Sequence, residues 1–190
     1  MVESTTNLPS RNTNSFWNFW RDFTRNGQSA PYLLIDCAGI EGGRQRLPAQ
    51  IFNRLESLFS GDLADELAEV GPYLGQLTNV SDEVGAVVLD LLDRRIAVLL
   101  VLQEQPEPRV ALGFSQLHSH LRKFNVIYGP ESSPLYFRYF DPRVLDDVLR
   151  VMQAPQLTEF FGPIHKLALV NEFNQLTLCS CRNGQLMIIP

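Results

Sequence analysis

Residues 96–102 read Ile-Ala-Val-Leu-Leu-Val-Leu, and this run decides the fold. An uninterrupted apolar run of this length is typical of a strand that is buried on both faces of a sheet. The sequence before the run, residues 81–93, begins with a helix-capping side chain, Ser81 or Asp82, and predicts a helix. The sequence after it predicts a second helix over residues 111–124. A buried strand between two helices predicts a layered domain with a central sheet.

The rest of the chain adds elements on both sides of this centre. Asp141-Pro142 predicts a helix start, because Asp accepts hydrogen bonds from the first turn and Pro loses none there. Asn183-Gly184 predicts a two-residue hairpin turn between the last two strands. Further strands are predicted at 31–36, 71–77, 135–140, 166–170, 175–181 and 185–189, with helices at 16–23, 48–59 and 142–152 and a helix or turn at 62–70.

This order of elements predicts the fold class and the domain organisation. Strands and helices alternate first and a run of strands follows, which is typical of an α/β (α+β) fold with a mixed β-sheet flanked by helices and a small C-terminal β-hairpin lobe. The polar residues 1–15 are expected to be disordered. Residues 16–165 are predicted to form the main domain, and residues 166–190 a β segment packed on the same domain.

The composition describes a globular chain with an acidic middle third. The chain has 190 residues, of which 45% are hydrophobic, and its formal net charge is −5. Residues 61–110 hold three Arg against ten Asp and Glu, which argues against a nucleic-acid partner. The apolar run at 96–102 is far shorter than the ~20 residues that a membrane-spanning helix needs, so no membrane partner is expected. The N-terminus has no secretory signal pattern, which predicts a cytoplasmic protein.

Motifs for catalysis and for metal binding are missing from the sequence. No Gly-rich loop is followed by Lys-Ser or Lys-Thr, and Ser115 lacks the second glycine of a nucleophile elbow. His118 and His120 are predicted on opposite sides of one helix, which does not suit a single metal ion. Cys179 and Cys181 are predicted as small thiols on one face of a strand. We therefore expect no catalytic residue, no cofactor and no metal site.

One set of charged residues is more informative. Its members are Asp36 at the end of the first strand, Arg122 in the helix after the central run, and Arg138, Asp141 and Arg143 around a strand-to-helix junction. One interpretation is a structural network in which Asp141 caps its helix and Arg122 or Arg138 braces it. The other is a ligand site whose guanidinium groups bind an anion. Asp36 is likewise either a structural carboxylate that caps the next loop or an active-site acid at a strand end.

An aromatic face is predicted on the N-terminal helix, where Phe16, Trp17, Phe19, Trp20 and Phe23 follow helical spacing. One interpretation packs this face on the core of the domain. The other exposes it to a binding partner, because aromatic residues are frequent interface anchors. In that case Trp17, Trp20 and Phe23 are the candidate partner contacts.

Five short blocks carry a resemblance to a known family through their order and spacing. They are 32–36 (Tyr-Leu-Leu-Ile-Asp), 71–74 (Gly-Pro-Tyr-Leu), 120–122 (His-Leu-Arg), 137–145 (Phe-Arg-Tyr-Phe-Asp-Pro-Arg-Val-Leu) and 160–164 (Phe-Phe-Gly-Pro-Ile). Together they resemble the bacterial type VI secretion adaptor family called Tap or TEC, which is catalogued as a domain of unknown function. The resemblance covers roughly residues 30–165.

The resemblance implies a cytoplasmic adaptor and chaperone with two protein partners and no enzyme activity. Such an adaptor binds a toxic effector and loads it onto the VgrG spike protein of the secretion machine. The resemblance makes Arg122, Arg138, Asp141 and Arg143 signature residues of the fold, with Asp36 in the first block. Many members carry a longer C-terminal region than this chain, so effector recognition is expected from residues 159–190, the N-terminal helix or surface loops.

Two other functions remain open from the residues. An immunity protein that neutralises a toxin would fit a small acidic domain, since the acidic middle third would dock on a basic toxin. A small cytoplasmic enzyme would use Asp36 together with an Arg-lined anion site. That enzyme requires a concave pocket that joins Asp36 to Arg122 or Arg138.

Overall fold

The computed structural model describes residues 12–26, 31–103, 113–128 and 131–189, and for residues 23–26 the backbone alone. No helix in these ranges has the length and apolar character needed to cross a bilayer. The elements, in chain order, are α1 (Thr13–Asn26), β1 (Tyr32–Asp36), β2 (Phe52–Ser57), α2 (Asp62–Glu66), β3 (Pro72–Leu77), α3 (Asp82–Asp93), β4 (Ala97–Leu102), α4 (Phe114–Arg122), β5 (Val126–Tyr128), β6 (Pro134–Tyr136), α5 (Pro142–Val151), α6 (Ala154–Phe161), β7 (Ile164–Val170), β8 (Leu176–Arg182) and β9 (Gln185–Ile189).

Seven strands form one sheet in the order β2-β3-β1-β4-β7-β8-β9, and β5 and β6 form a separate two-stranded ribbon. The predicted α/β class, with a sheet flanked by helices, is confirmed. The sheet is antiparallel at every pairing, however, where a mixed sheet was predicted. The crossover β3-α3-β4 does join two parallel strands, but β1 lies between them and runs antiparallel to both. The helical connections therefore never place two parallel strands side by side.

Alternate side chains of the central strands enter two separate cores. Leu34 and Val98 point to one face, where they pack against α4, α5 and α6. Leu33 and Leu99 point to the other face, where they pack against α1 and α3. Both faces of β1 and β4 are buried, which confirms the prediction that the run at 96–102 is a central strand. The result is a three-layer arrangement with one antiparallel sheet between two layers of helices.

The predicted helix over residues 48–59 is wrong. Residues 49–51 form a short 3-10 turn, and Phe52–Ser57 is strand β2, which pairs with β3 at the edge of the sheet. Ile51 lies in the turn and Leu58 lies beyond the strand, so the helix-like apolar spacing comes from three consecutive elements. The long-range pairing with β3 decides the structure here, and local spacing does not.

The region before α5 also differs from its prediction. The strand predicted at 135–140 is shorter, because β6 ends at Tyr136 and pairs with β5 in a segment predicted as a connector. The following Phe137, Tyr139 and Phe140 leave the ribbon and are buried in the core under α4–α6. The predicted helix start is confirmed, since the Asp141 carboxylate accepts a hydrogen bond from the Arg143 backbone N–H at 3.0 Å.

The two ends of the described chain join the main domain. Asn183 and Gly184 have φ angles of 51° and 72°, which is the left-handed turn that the Asn-Gly pair predicts. The β8–β9 hairpin continues the seven-stranded sheet, so it is the edge of that sheet and not a separate lobe. At the other end, α1 begins at Thr13, and Asn12 Nδ2 donates to Asp93 Oδ1 at 2.6 Å. Of the segment predicted to be disordered, residues 12–15 are ordered and residues 1–11 lie outside the described residues.

Candidate functional site

Asp36 links the end of β1 to the C-terminal half of the chain. Its buried carboxylate accepts two hydrogen bonds, from the Ala38 backbone N–H to Oδ1 at 3.1 Å and from Arg138 Nη2 to Oδ2 at 2.8 Å. The first bond caps the 3-10 turn that follows β1. The second is an ion pair with a guanidinium whose side chain is half exposed. Asp36 therefore caps the next loop and holds Arg138 at the same time.

Asp141 is the second buried carboxylate of this network. It accepts from Arg143 Nε at 2.9 Å and Nη2 at 2.8 Å, and Arg138 Nη2 lies 3.5 Å from its Oδ2. Burial alone would raise the pKa of Asp141, but the hydrogen bonds from Arg143 and the charges of Arg143 and Arg138 outweigh it and lower the pKa. Two aspartates and two arginines thus neutralise one another, so this junction has no unpaired anion-binding group.

Of the two arginines that the sequence offered as a brace for Asp141, Arg138 contacts it and Arg122 does not join the network. It is exposed in the last turn of α4, and within the described part of the chain it makes no ion pair. Burial raises the pKa of the Tyr139 phenol, and the charge of Arg122 offsets part of that rise. The Tyr139 hydroxyl donates to Asn125 Oδ1 at 3.0 Å, and Asn125 Nδ2 donates to the Leu58 carbonyl at 2.7 Å. Arg122 therefore lies beside a buried polar chain while its guanidinium faces solvent.

The histidines and cysteines lie apart from this network. His118 Nε2 lies 2.8 Å from the Ser57 carbonyl oxygen, and His120 Nε2 lies 2.8 Å from that of Phe160, so the two rings contact different elements. Cys179 is buried in the α4–α6 core and Cys181 packs against it, which confirms that both thiols point to one face. Burial raises the pKa of Cys179 to about 12. Among the described residues, no three His, Cys, Asp or Glu side chains cluster as metal ligands.

The aromatic face of α1 packs on the domain core. Trp20 is fully buried, stacks on Phe16 with ring centroids 5.4 Å apart, and donates from Nε1 to the Ser81 carbonyl at 3.3 Å. Trp17 is half-buried against the same core. Trp20 is therefore not a partner contact in this structure, because the helix closes the α1–α3 side of the sheet. The Phe23 side chain lies outside the described residues.

The β5–β6 ribbon is the main exposed apolar feature near the network. Tyr128 and Tyr136 are 73% and 71% exposed, and the cross-strand pair Ile127 and Leu135 is also exposed. The ribbon is attached at its base, where the Phe137 backbone N–H donates to the Asn125 carbonyl at 3.1 Å. Nothing among the described residues covers its outer side chains.

Two cavities lie along the inner side of this ribbon. The inner cavity, of about 380 Å³, is lined mostly by apolar side chains and ends at the Asp36–Arg138 pair. The outer cavity, of about 450 Å³, is lined by Arg122 and Lys123 at the end of α4. The concave site thus brings Arg138 and Asp36 together at one end and leaves Arg122 at the other.

The inner network and both cavities lie within one region of the chain that matches a known family. Residues 31–159 match the family described as Domain of unknown function (DUF4123). This chain belongs to that family. The DUF4123 region runs from just before β1 into α6, so α1 and the strands β7–β9 lie outside the match. No curated protein and no solved structure matches the chain.

The ribbon and the cavities are the parts of the site that the sequence did not predict. The segment 126–134 was predicted as a connector with turn residues, and Leu135 and Tyr136 as the start of a longer strand, so the pairing of β5 with β6 was not predicted. Consecutive exposed apolar residues in Val126–Tyr128 and Pro134–Tyr136, on either side of a short turn, were the available signal. The Arg–Asp contacts were predicted as one of two interpretations, and the tertiary structure supplied the pairing partners.

Proposed function

We propose that this DUF4123 protein is an adaptor and chaperone that binds a type VI secretion effector and loads it onto the VgrG spike. It works in the bacterial cytoplasm through protein contacts and not as an enzyme. The family match over residues 31–159 carries this proposal, because the family is linked to type VI secretion effector adaptors.

The exposed ribbon supports a role in protein binding. Its two strands carry Val126, Ile127, Tyr128, Leu135 and Tyr136, all exposed and all apolar or aromatic. Contiguous exposed apolar patches mark interaction sites, and aromatic residues are enriched in the centres of protein interfaces. A two-stranded ribbon is also marginally stable on its own. A partner that covers the ribbon would bury these side chains and stabilise it.

A second exposed apolar surface lies at the opposite edge of the sheet. Strand β9 is the last in the strand order, and its Met187, Ile188 and Ile189 are exposed. With neighbouring strands about 4.8 Å apart, the two edges of a seven-stranded sheet are separated by roughly 30 Å. The ribbon lies near the β2 side, next to Phe59 and α2. An adaptor holds two proteins at once, and two well-separated apolar surfaces meet that requirement.

The test is co-expression of this chain with a VgrG protein and the effector encoded next to it. We expect the three chains to co-purify through affinity capture and size exclusion. The matched control omits the adaptor, and effector should then be lost from the VgrG fraction. A chain that captures neither VgrG nor effector would end the proposal.

A further inference from the structure

The two cavities beside the ribbon are adjacent, and together they are called the groove below. They share the lining residues Phe59, Leu63, Asn125 and Tyr136. One wall is helix α2 with the turn before it, and the other is the inner side of the β5–β6 ribbon. The floor includes Phe59, whose ring packs edge-on against Phe140 with centroids 6.2 Å apart. The floor of this groove is therefore built on the buried core.

The two ends of the groove differ in their net charge. At the inner end Arg138 pairs with Asp36 and Asp141, so its charge is compensated. At the outer end Arg122 and Lys123 are both exposed, and neither forms an ion pair with any residue that the structure describes. Among the described residues, the acids of α2, Asp62, Asp65 and Glu66, form no ion pair with either cation and line neither cavity. The inner cavity is thus mostly apolar, and the outer cavity combines apolar side chains with polar groups and two cations.

We propose that this groove binds an extended segment of a partner protein that carries carboxylates next to apolar side chains. The apolar side chains of the segment fill the inner cavity against Leu63 and Tyr136. Its Asp or Glu side chains pair with Arg122 and Lys123, and the Arg122 guanidinium offers a two-pronged donor for a carboxylate. The inference rests on the proposed function for the identity of the partner, and it adds the chemistry of the contact.

Charge complementarity favours a different protein over a second copy of this chain. The exposed apolar strands that a second copy would offer are β5, β6 and β9, and none of them contains Asp or Glu. Glu172 and Phe173 of a second copy are also exposed, but they lie in the tight turn between β7 and β8, where the Asn174 N–H donates to the Asn171 carbonyl, and so do not form an extended segment. Such a strand would fill the apolar part of the groove but would leave Arg122 and Lys123 without counter-charges. A segment with carboxylates beside its apolar side chains satisfies both parts.

The first test uses a display library of random 12-residue peptides, selected on the full-length protein and counter-selected on the Arg122→Glu/Lys123→Glu variant. We expect the enriched peptides to combine Asp or Glu with Leu, Ile, Phe or Trp. One enriched peptide, labelled with fluorescein, is then titrated by anisotropy. Each charge reversal should raise its Kd about tenfold or more, and raising the salt to 0.5 M should weaken binding, because exposed ion pairs are screened.

Two matched controls separate the groove from the general surface. Arg182→Glu makes the same charge change on β8, away from the groove, and should leave the Kd within about twofold. Tyr136→Ala removes a groove wall and should raise the Kd about tenfold or more, while Tyr128→Ala, on the same ribbon but outside both cavities, should not. Thermal melts check that every variant is folded. We expect all of them to fold, because the substituted side chains are exposed.

Several outcomes would overturn the inference. They are the absence of enriched peptides, peptides that bind the doubly reversed variant equally well, or equal losses from Tyr128→Ala and Tyr136→Ala. Self-association that Arg122→Glu abolishes would assign the groove to a second copy. Co-purification with VgrG and effector is a separate test. If the wild-type protein and the groove variants capture these partners equally well, the groove proposal is wrong while the adaptor proposal stands.

Discussion

Arg138 Nη2 lies 2.8 Å from Asp36 Oδ2, and this contact joins two residues that are 102 positions apart in the chain. The same nitrogen lies 3.5 Å from Asp141 Oδ2 at the start of α5. Arg138 therefore connects the end of β1 to the first turn of a helix on one face of the sheet. Asp36 and Arg138 also line the inner cavity. The network is structural, and at the same time it shapes one wall of that cavity.

The Asp36–Arg138 contact should appear as coupling in a double-mutant cycle. Because Arg138 is half exposed and Asp36 is buried, we expect a coupling free energy of about 1 kcal/mol from urea unfolding of Asp36→Ala, Arg138→Ala and the double variant. As a control, Arg138→Ala combined with Asp90→Ala, on the exposed face of α3, should be additive. Additivity in the Asp36–Arg138 cycle would show that the ion pair contributes nothing.

Removal of the α5 cap should destabilise the protein. Asp141→Ala deletes the acceptor of the Arg143 backbone N–H and of two guanidinium bonds, so we expect a loss of about 1–2 kcal/mol in the free energy of unfolding. The exposed Asp147→Ala, on the same helix, should change it by less than about 0.5 kcal/mol. Equal melting temperatures for the two variants would contradict the capping role.

Stability should fall below neutral pH through His120. Burial lowers the pKa of this imidazole, with Lys123 acting in the same direction and the Phe160 carbonyl and Glu159 acting against it. The unfolded chain therefore takes up a proton first, near pH 6.5, while the folded chain stays neutral. The stabilising contribution is fully present above about pH 6.5 and is lost as the pH falls toward the folded pKa.

His120→Gln tests this directly through the free energy of unfolding between pH 7.5 and 5. The stability difference between wild type and His120→Gln should shrink as the pH falls. The absolute difference also contains the contact of His120 Nε2 with the Phe160 carbonyl, so the slope is the relevant quantity. A difference that stays constant with pH would show that His120 titrates identically in the folded and unfolded chains.

Trp20 should contribute strongly to the stability of the fold, because its side chain is buried between α1 and α3. Trp20→Ala leaves a large cavity between α1 and α3 and should cost about 3–5 kcal/mol. The half-buried Trp17→Ala should cost at most about 2 kcal/mol. Thermal or urea unfolding measures both. A Trp20→Ala variant as stable as wild type would mean that α1 does not pack as described.

The exposed side chains of the ribbon should matter for partner capture and little for stability. Ile127→Ser with Leu135→Ser removes an exposed cross-strand pair, so the stability should change by about 1 kcal/mol or less. Capture of VgrG or effector in the co-expression experiment should nevertheless fall. The control Val151→Ser with Phe173→Ser changes two apolar residues elsewhere that are more exposed, at 72% and 69% against 41% and 49% for Ile127 and Leu135. Equal capture by both double variants would exclude the ribbon as an interface.

The features that the sequence determined are those that depend on neighbouring residues. The central strand followed from an uninterrupted apolar run, the start of α5 from Asp141-Pro142, and the last turn from Asn183-Gly184. In each case the physical cause is local: burial on both faces, an acceptor for free N–H groups, and tolerance of positive φ. Four of the five short blocks lie within residues 31–159, which match a domain of unknown function, and the fifth follows directly after them.

The tertiary structure alone decided which distant residues meet. Strand β2 exists because β3 supplies its hydrogen-bond partners, and no periodicity within 52–57 encodes that pairing. Trp20 is buried because α3 lies over the same face of the sheet, and it is Arg138, not Arg122, that meets the two aspartates. These outcomes are set by contacts between segments far apart in the chain, whose energy depends on the three-dimensional placement of both partners. A local sequence pattern describes only one of the two contacting segments, so it does not specify the contact.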